Sequence, residues 1–186
     1  SHPRADDDCV SPERLAEPQK LKTPSKIFVC SMSDLFGPWV PDEWIQAVID
    51  AMAAAPQHTF QCLTKSPWVA KKWVMPGNVW LGTTITGGLP NESKRMECVR
   101  DFQASVRFIS CEPLVGLVDL GVANPDWVIV GAATGPGAFQ PEESWVAGIE
   151  DYAAANGIPI FHKKNLKIRP VARREWPSSA QITKAA

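Results

Sequence analysis

The sequence predicts an α/β fold, a partial (β/α) barrel of about six mainly parallel strands. Three observations carry this expectation. Six short runs are rich in β-branched and aromatic residues, the composition of buried strands. Each run breaks off into small, hydroxyl-bearing or charged residues, as where a site gathers at the carboxyl ends of parallel strands. The run starts are roughly 20 to 32 residues apart, room for a crossover connection in most intervals. No glycine-rich dinucleotide fingerprint follows the first run, where Ser31-Met32-Ser33-Asp34 stands instead, so a partial barrel is preferred over an open doubly wound sheet.

Residues 1–24, rich in Pro, Asp, Glu and Lys, are expected to form an extended leader before a barrel domain at 25–165. The first strand is Ile27 to Cys30. Pro41-Asp42-Glu43 opens a helix capped by Asp42, with Trp44, Val48, Ile49 and Met52 as its apolar stripe and Pro56 as its stop. The second strand, Thr59 to Leu63, leads into Thr64-Lys65. A short helix then runs from Ser66-Pro67 through Trp73. Val79 to Gly82 is the third strand. Asn91 caps a helix over about 92–103, with Met96, Val99 and Phe102 inward and Glu92 among the charges of a solvated face.

The fourth strand, Val106 to Ile109, ends in Ser110-Cys111-Glu112. The glycines and prolines between Pro113 and Pro125 predict a loop or short strand. Trp127 to Val130 runs into the small-residue loop Gly131 to Ala138. A helix led by Glu142-Glu143 follows, with Trp145, Ile149, Tyr152 and Ala153 on its stripe and Asn156-Gly157 at its end. Pro159 to Phe161 is the last strand. The tail at 166–186 carries Arg169, Arg173, Arg174 and Trp176 and has weak structural signals.

With 186 residues, 45% apolar and 21% charged, one domain with a substantial core is expected. A net charge of −1 argues against a bulk grip on nucleic acid. No run approaches the roughly 20 apolar residues of a membrane span, and the first residues lack the apolar core of a secretory signal. Five cysteines without C-x-x-C spacing, several inside apolar strands, predict free thiols in a reducing cytoplasm. Cys30, Cys62 and Cys111 would form a metal or redox site only if their strands brought them together.

Candidate site residues cluster at strand ends. Asp34 suits a ligand amine or general-base work, or caps its own turn. Lys65 can hold a phosphate or carboxylate, or form a Schiff base, or simply be solvated. Glu112 is the strongest candidate, because Pro113 holds it extended at a strand terminus. It suits acid–base work, or an ion pair between loops. Gly131, Thr134, Gly135 and Gly137, with Ser110 nearby, form a loop whose amides can approach an anion, or whose glycines serve only a turn. His162 can act at neutral pH or be a hydrogen-bonded structural residue. Trp39 and Trp68 lie near carboxyl-end loops, where an aromatic ring could stack on a ligand.

The runs KIFVCSMSDLFGPWVPDEWI, HTFQCLTKSP, NVWLGTTI, VRFISCEPLVGLVDL, WVIVGAATGPGA and GIPIFHKK occur in one order. Together they resemble the phage gene product thirty-seven/sixty-eight family, a phage- and mobile-element-associated group of uncharacterised proteins that looks like a relative of the radical S-adenosylmethionine enzymes. The resemblance covers about residues 10–165 and implies a radical-SAM-like barrel whose first unit, with its cysteine cluster, is absent here. It implies an iron–sulfur cluster and S-adenosylmethionine in full-length relatives. Here only Cys111 matches the family's pattern, and no closely spaced thiols supply the typical ligand set. Ser31, Ser33, Asp34, Thr64, Lys65, Ser110, Glu112, Gly131, Gly135 and Gly137 match. Ala133, Phe139-Gln140, Thr83-Thr84-Ile85-Thr86 and His162-Lys163-Lys164 depart.

The expectation is a scaffold that keeps a small-ligand pocket without radical chemistry and with no cofactor or metal of its own. Two alternatives stand beside it. One is an acid–base or metal-assisted lyase or hydrolase using Glu112 with His162 or Lys163. The other is an interaction protein that pairs, as a homodimer or with a partner, through the strand edge an absent first unit would leave exposed.

Overall fold

The computed structural model describes residues 12–178. Six strands form one sheet in strict chain order: β1 (Lys26–Val29), β2 (Thr59–Thr64), β3 (Val79–Thr84), β4 (Val106–Cys111), β5 (Trp127–Val130) and β6 (Ile160–His162). All five pairings are parallel and the sheet curls into half a barrel, as the run spacing predicts.

Strand alternation sends every second side chain to opposite faces. On the outer face Phe60, Cys62, Val79, Leu81, Ile109, Val128 and Ile160 form one core with the helices. It is completed by Ile45, Ile49 and Met52 of α3 (Asp42–Ala53), Met96 and Val99 of α5 (Glu92–Arg100), and Val146, Ile149 and Ala153 of α6 (Glu143–Ala155). The inner face carries a second cluster: Trp80, Val106, Phe108, Trp127 and Ile129, with Leu63 and Phe161 packed against it.

The registers arrange the inner face in layers, as in a closed barrel. Phe28, Gln61, Trp80 and Val106 form one row, and Leu63, Gly82, Phe108 and Trp127 the next. Gly82 has no side chain because the Phe108 ring occupies the space, lying 2.5 Å from where a Cβ would stand. Thr84, Ser110, Ile129 and Phe161 form the row at the carboxyl end.

Several local expectations are corrected. Asp42 does not cap α3: Pro41 is the N-cap, with no side-chain cap bond, and the buried stripe starts at Ile45, with Trp44 only half-buried. The helix after β2, α4 (Pro67–Ala70), is a single turn that ends short of Trp73. α5 stops at Arg100, and its first residue is not solvated: Glu92 is buried. On α6 the buried position is Val146, while Trp145 packs half-buried at the edge of the core. Cys30 falls just past β1 with φ of 51°, in the left-handed region. In the described part of the leader, the single turns α1 (Pro12–Leu15) and α2 (Glu17–Lys20) interrupt an extended chain, and residues 1–11 of that expected leader lie outside the described residues. Pro18 is tied down by His58, whose Nε2 lies 2.9 Å from its carbonyl.

The tail as far as residue 178 is also part of the fold, and residues 179–186 lie outside the described residues. Residues 173–175 run antiparallel to β6: the His162 amide donates to the Arg173 carbonyl at 2.7 Å, and the Glu175 amide to the Ile160 carbonyl at 3.0 Å. Trp127 Nε1 donates to the Glu175 carbonyl at 2.9 Å. Trp176 then stacks on Trp127, with ring centroids 5.0 Å apart, and makes an edge contact with Phe161. This segment covers the β6 edge and part of the inner face. The outer edge of β1 has no strand partner among the described residues.

Candidate functional site

The carboxyl ends of the inner face form a polar mouth above an apolar floor. Continuing the alternation beyond Ser110, Ile129 and Phe161 brings Glu112, Gly131 and Lys163 to the same side. Lys163 Nζ lies 3.2 Å from Glu112 Oε2. Gly131 lies beneath that carboxylate: a Cβ there would stand 3.0–3.1 Å from the Glu112 side chain, so glycine leaves room for it. Just below are Thr84 and Ser110, 7% and 2% exposed, whose hydroxyls make no hydrogen bond with the described residues. The mouth thus holds one internal ion pair and two idle hydroxyls.

Neighbouring loops are tightly braced. Asp34 Oδ2 accepts the Lys65 amide at 2.8 Å, and Oδ1 accepts the Phe36 amide at 3.1 Å, so both oxygens serve the backbone and tie the β1 and β2 loops together. Lys65 is exposed, and its ammonium has no partner among the described residues. Glu92 Oε1 accepts from the Thr86 amide at 2.6 Å and the Thr86 hydroxyl at 2.8 Å, while Oε2 accepts the Gly87 amide at 2.7 Å. That carboxylate fixes the turn after β3. The turn in turn touches the β4 loop at Gly87 and Gly116, where any Cβ would collide with backbone.

Beyond Gly131 the small-residue loop leaves the mouth. Thr134, Gly135 and Gly137 are exposed, and the two glycines have φ of 86° and 77°, which accounts for them as turn formers. Asn165 holds the start of the loop: its Nδ2 donates to the Ala132 carbonyl at 2.7 Å, and its Oδ1 accepts the Ala132 amide at 3.4 Å.

His162 does not meet Glu112. It falls on the helix-facing side of β6, fully buried beside α6, with Nε2 3.2 Å from Glu150 Oε1. Of the candidate residues, the structure therefore brings Glu112, Ser110 and Gly131 together, sets Asp34 and Lys65 on adjacent loops, and separates His162 and the outer glycines. Lys163 and Thr84 complete the mouth. Their signal was parity: Lys163 stands two residues past Phe161, and Thr84 two past Gly82. Trp39 is exposed on the loop after β1, and Trp68 is exposed on α4, the single helical turn after β2.

The described residues do not fit an iron–sulfur cluster. No group of three or more His, Cys, Asp or Glu among them is placed to hold a metal. Cys62 and Cys111 lie on the outer face in the main core, and burial pushes both thiols well above the usual range, with Cys30 and Glu92 respectively adding to it. Cys62 Sγ faces Met52 Sδ at 3.9 Å. No helix among the described residues is long and apolar enough to cross a membrane.

One family profile, described as protein of unknown function (DUF5131), matches residues 3–181. Neither the curated proteins nor the solved structures give a match.

Proposed function

We propose that this chain, which belongs to the DUF5131 family, binds a small polar molecule with an anionic group at the mouth of its half-barrel. The observation that carries the reading is the convergence of Thr84, Ser110, Glu112 and Lys163 at one end of the inner face. Thr84 and Ser110 are almost wholly buried as residues, but their hydroxyls are not sealed from the surface, and they stand directly below the Glu112–Lys163 pair. Two hydroxyls open to the mouth beside an ion pair offer a polar ligand both donors and acceptors. Lys163, and Lys65, whose ammonium has no partner among the described residues, supply positive charge, while Glu112 offers an acceptor for a ligand N–H or O–H. The phage association and the radical-SAM-like ancestry belong to this reading as a source of the scaffold. No step runs through a cluster, which the described residues do not fit.

The test is a thermal-shift screen of small carboxylates and phosphates, followed by calorimetry on Ser110→Ala and Lys163→Met. At least one anionic compound is expected to raise the melting temperature, with affinity falling at least tenfold in Lys163→Met. Binding unchanged in both variants, or stabilisation by uncharged compounds alone, would overturn the proposal.

A second reading is favoured by the β1 edge, which has no strand partner among the described residues and whose Phe28 is also exposed. An unpaired edge of this kind is a template for another strand, here from a second copy of the chain. Sedimentation at rising concentration tests it: a dimer that weakens in Phe28→Lys supports it, and a monomer throughout sinks it.

A further inference from the structure

We propose that the segment from Arg173 to Trp176 is a proton-released strap, held over the inner face by the neutral form of His162 and freed when that imidazole takes up a proton. The argument starts from the tautomer. His162 Nδ1 accepts the Arg173 amide at 3.2 Å, so that nitrogen carries no hydrogen, and the ring proton sits on Nε2, which lies 3.2 Å from Glu150 Oε1 without a hydrogen bond to it. Protonation must place a hydrogen on Nδ1, where it confronts the Arg173 N–H. Two donors then face each other in a fully buried position, and such a contact cannot persist.

The strap's other holds are a short ladder at its start and the Trp176 ring at its end, which packs on Trp127, Phe161 and Trp80 with Lys26 Nζ 4.7 Å from its centroid. Its backbone pairs with β6 at two points, the Glu175 Oε2 accepts the Ile160 amide at 3.1 Å, and Trp127 Nε1 donates to the Glu175 carbonyl. Trp176 remains 40% exposed at its end. Losing the Arg173 anchor therefore loosens the short antiparallel ladder that holds Trp176 on Trp127.

Charged groups reach His162 from each flanking element that carries them. Glu150 comes from α6, Arg169 from the connection after β6, and Arg173 and Glu175 from the strap itself. Burial is the chief influence and favours the neutral ring. Arg173 and Arg169 act the same way, while Glu150 and Glu175 oppose them. The net direction is downward from the ordinary histidine value. A depressed histidine stabilises the closed state fully above its unfolded value near 6.5. That contribution is lost as the pH falls through the lower folded value. Release is thus an acid event, and it uncovers the aromatic floor formed by Trp80, Trp127 and Phe161.

Hydrogen exchange on the full chain between pH 7.5 and pH 5 tests this, with protection factors corrected for intrinsic exchange. Protection of the His162 and Glu175 amides, which donate to the strap and to β6, is expected to fall at least tenfold. Central amides of β3 and β4 should hold. His162→Gln offers an acceptor to the Arg173 amide without titrating, and should keep the strap closed across the range. Glu150→Gln removes an influence that favours the proton, so release should need a lower pH. Protection that ignores pH in the native chain overturns the proposal. So does an unchanged release midpoint in Glu150→Gln, a reading that stands even where His162→Gln fails to fold.

Discussion

Replacing Glu92 by alanine tests whether one buried carboxylate organises the turn after β3. The native side chain receives three hydrogen bonds, from the Thr86 amide, the Thr86 hydroxyl and the Gly87 amide, at 2.6–2.8 Å. Removing it strands all three donors, but the hydroxyl can rotate. The two amides cannot, because the turn is wedged against Gly116. An orphaned buried donor costs about 1–3 kcal/mol, so the loss comes to about 2–6 kcal/mol. At the lower bound, a chain of this size should melt about 4–8 °C lower. Urea unfolding followed by far-UV circular dichroism measures the change. Glu92→Gln should fall between native and alanine, since its amide keeps one acceptor but presents a donor to the second N–H. A loss under about 1 kcal/mol in Glu92→Ala would refute the reasoning and return Glu92 to the solvated face its sequence suggests.

Two further outcomes are expected. Gly82→Ala places a methyl 2.5 Å from the Phe108 ring. It should cost about 1–3 kcal/mol in the same urea assay, with part recovered in the double variant with Phe108→Leu; a neutral Gly82→Ala would show that the ring is free to move. Cys62 and Cys111, whose thiols burial pushes up, should resist iodoacetamide in the native state and react on unfolding, as mass spectrometry would read. Because their folded values are raised, their contribution to stability is intact below the ordinary thiol value and fades as the pH climbs past it. A stability flat from neutral pH to pH 10 would contradict this.

The sheet was legible in the sequence because its signal is local. Each strand is a compact β-branched or aromatic run, and the spacing leaves room for a crossover in most intervals, so parallel order followed. Glu112 was legible for the same reason, standing at a strand end before Pro113. What escaped depends on long-range contact. Glu92 looks like any surface charge in a polar helix, and only the approach of Thr86 and Gly87 makes it internal. Histidine at a strand end gives no hint of its face until parity is counted from Phe161 inward. The strap is the clearest case: residues 173–176 lack periodicity, and Trp176 finds its place only because Trp127 and Phe161, remote in the chain, lie beside each other.

Sequential strand order has a consequence for how this architecture can be enlarged. Every crossover runs one way around the curl, so a new strand–helix unit could be appended at a flank without re-threading anything already there. The two flanks are unequal. Beside β6 the returning tail must first be displaced, whereas beside β1 the hydrogen-bonding groups already point outward. Among the described residues no strand pairs with that flank, so growth of the half-circle, whether by gene fusion or by design, has its open direction at Lys26–Val29.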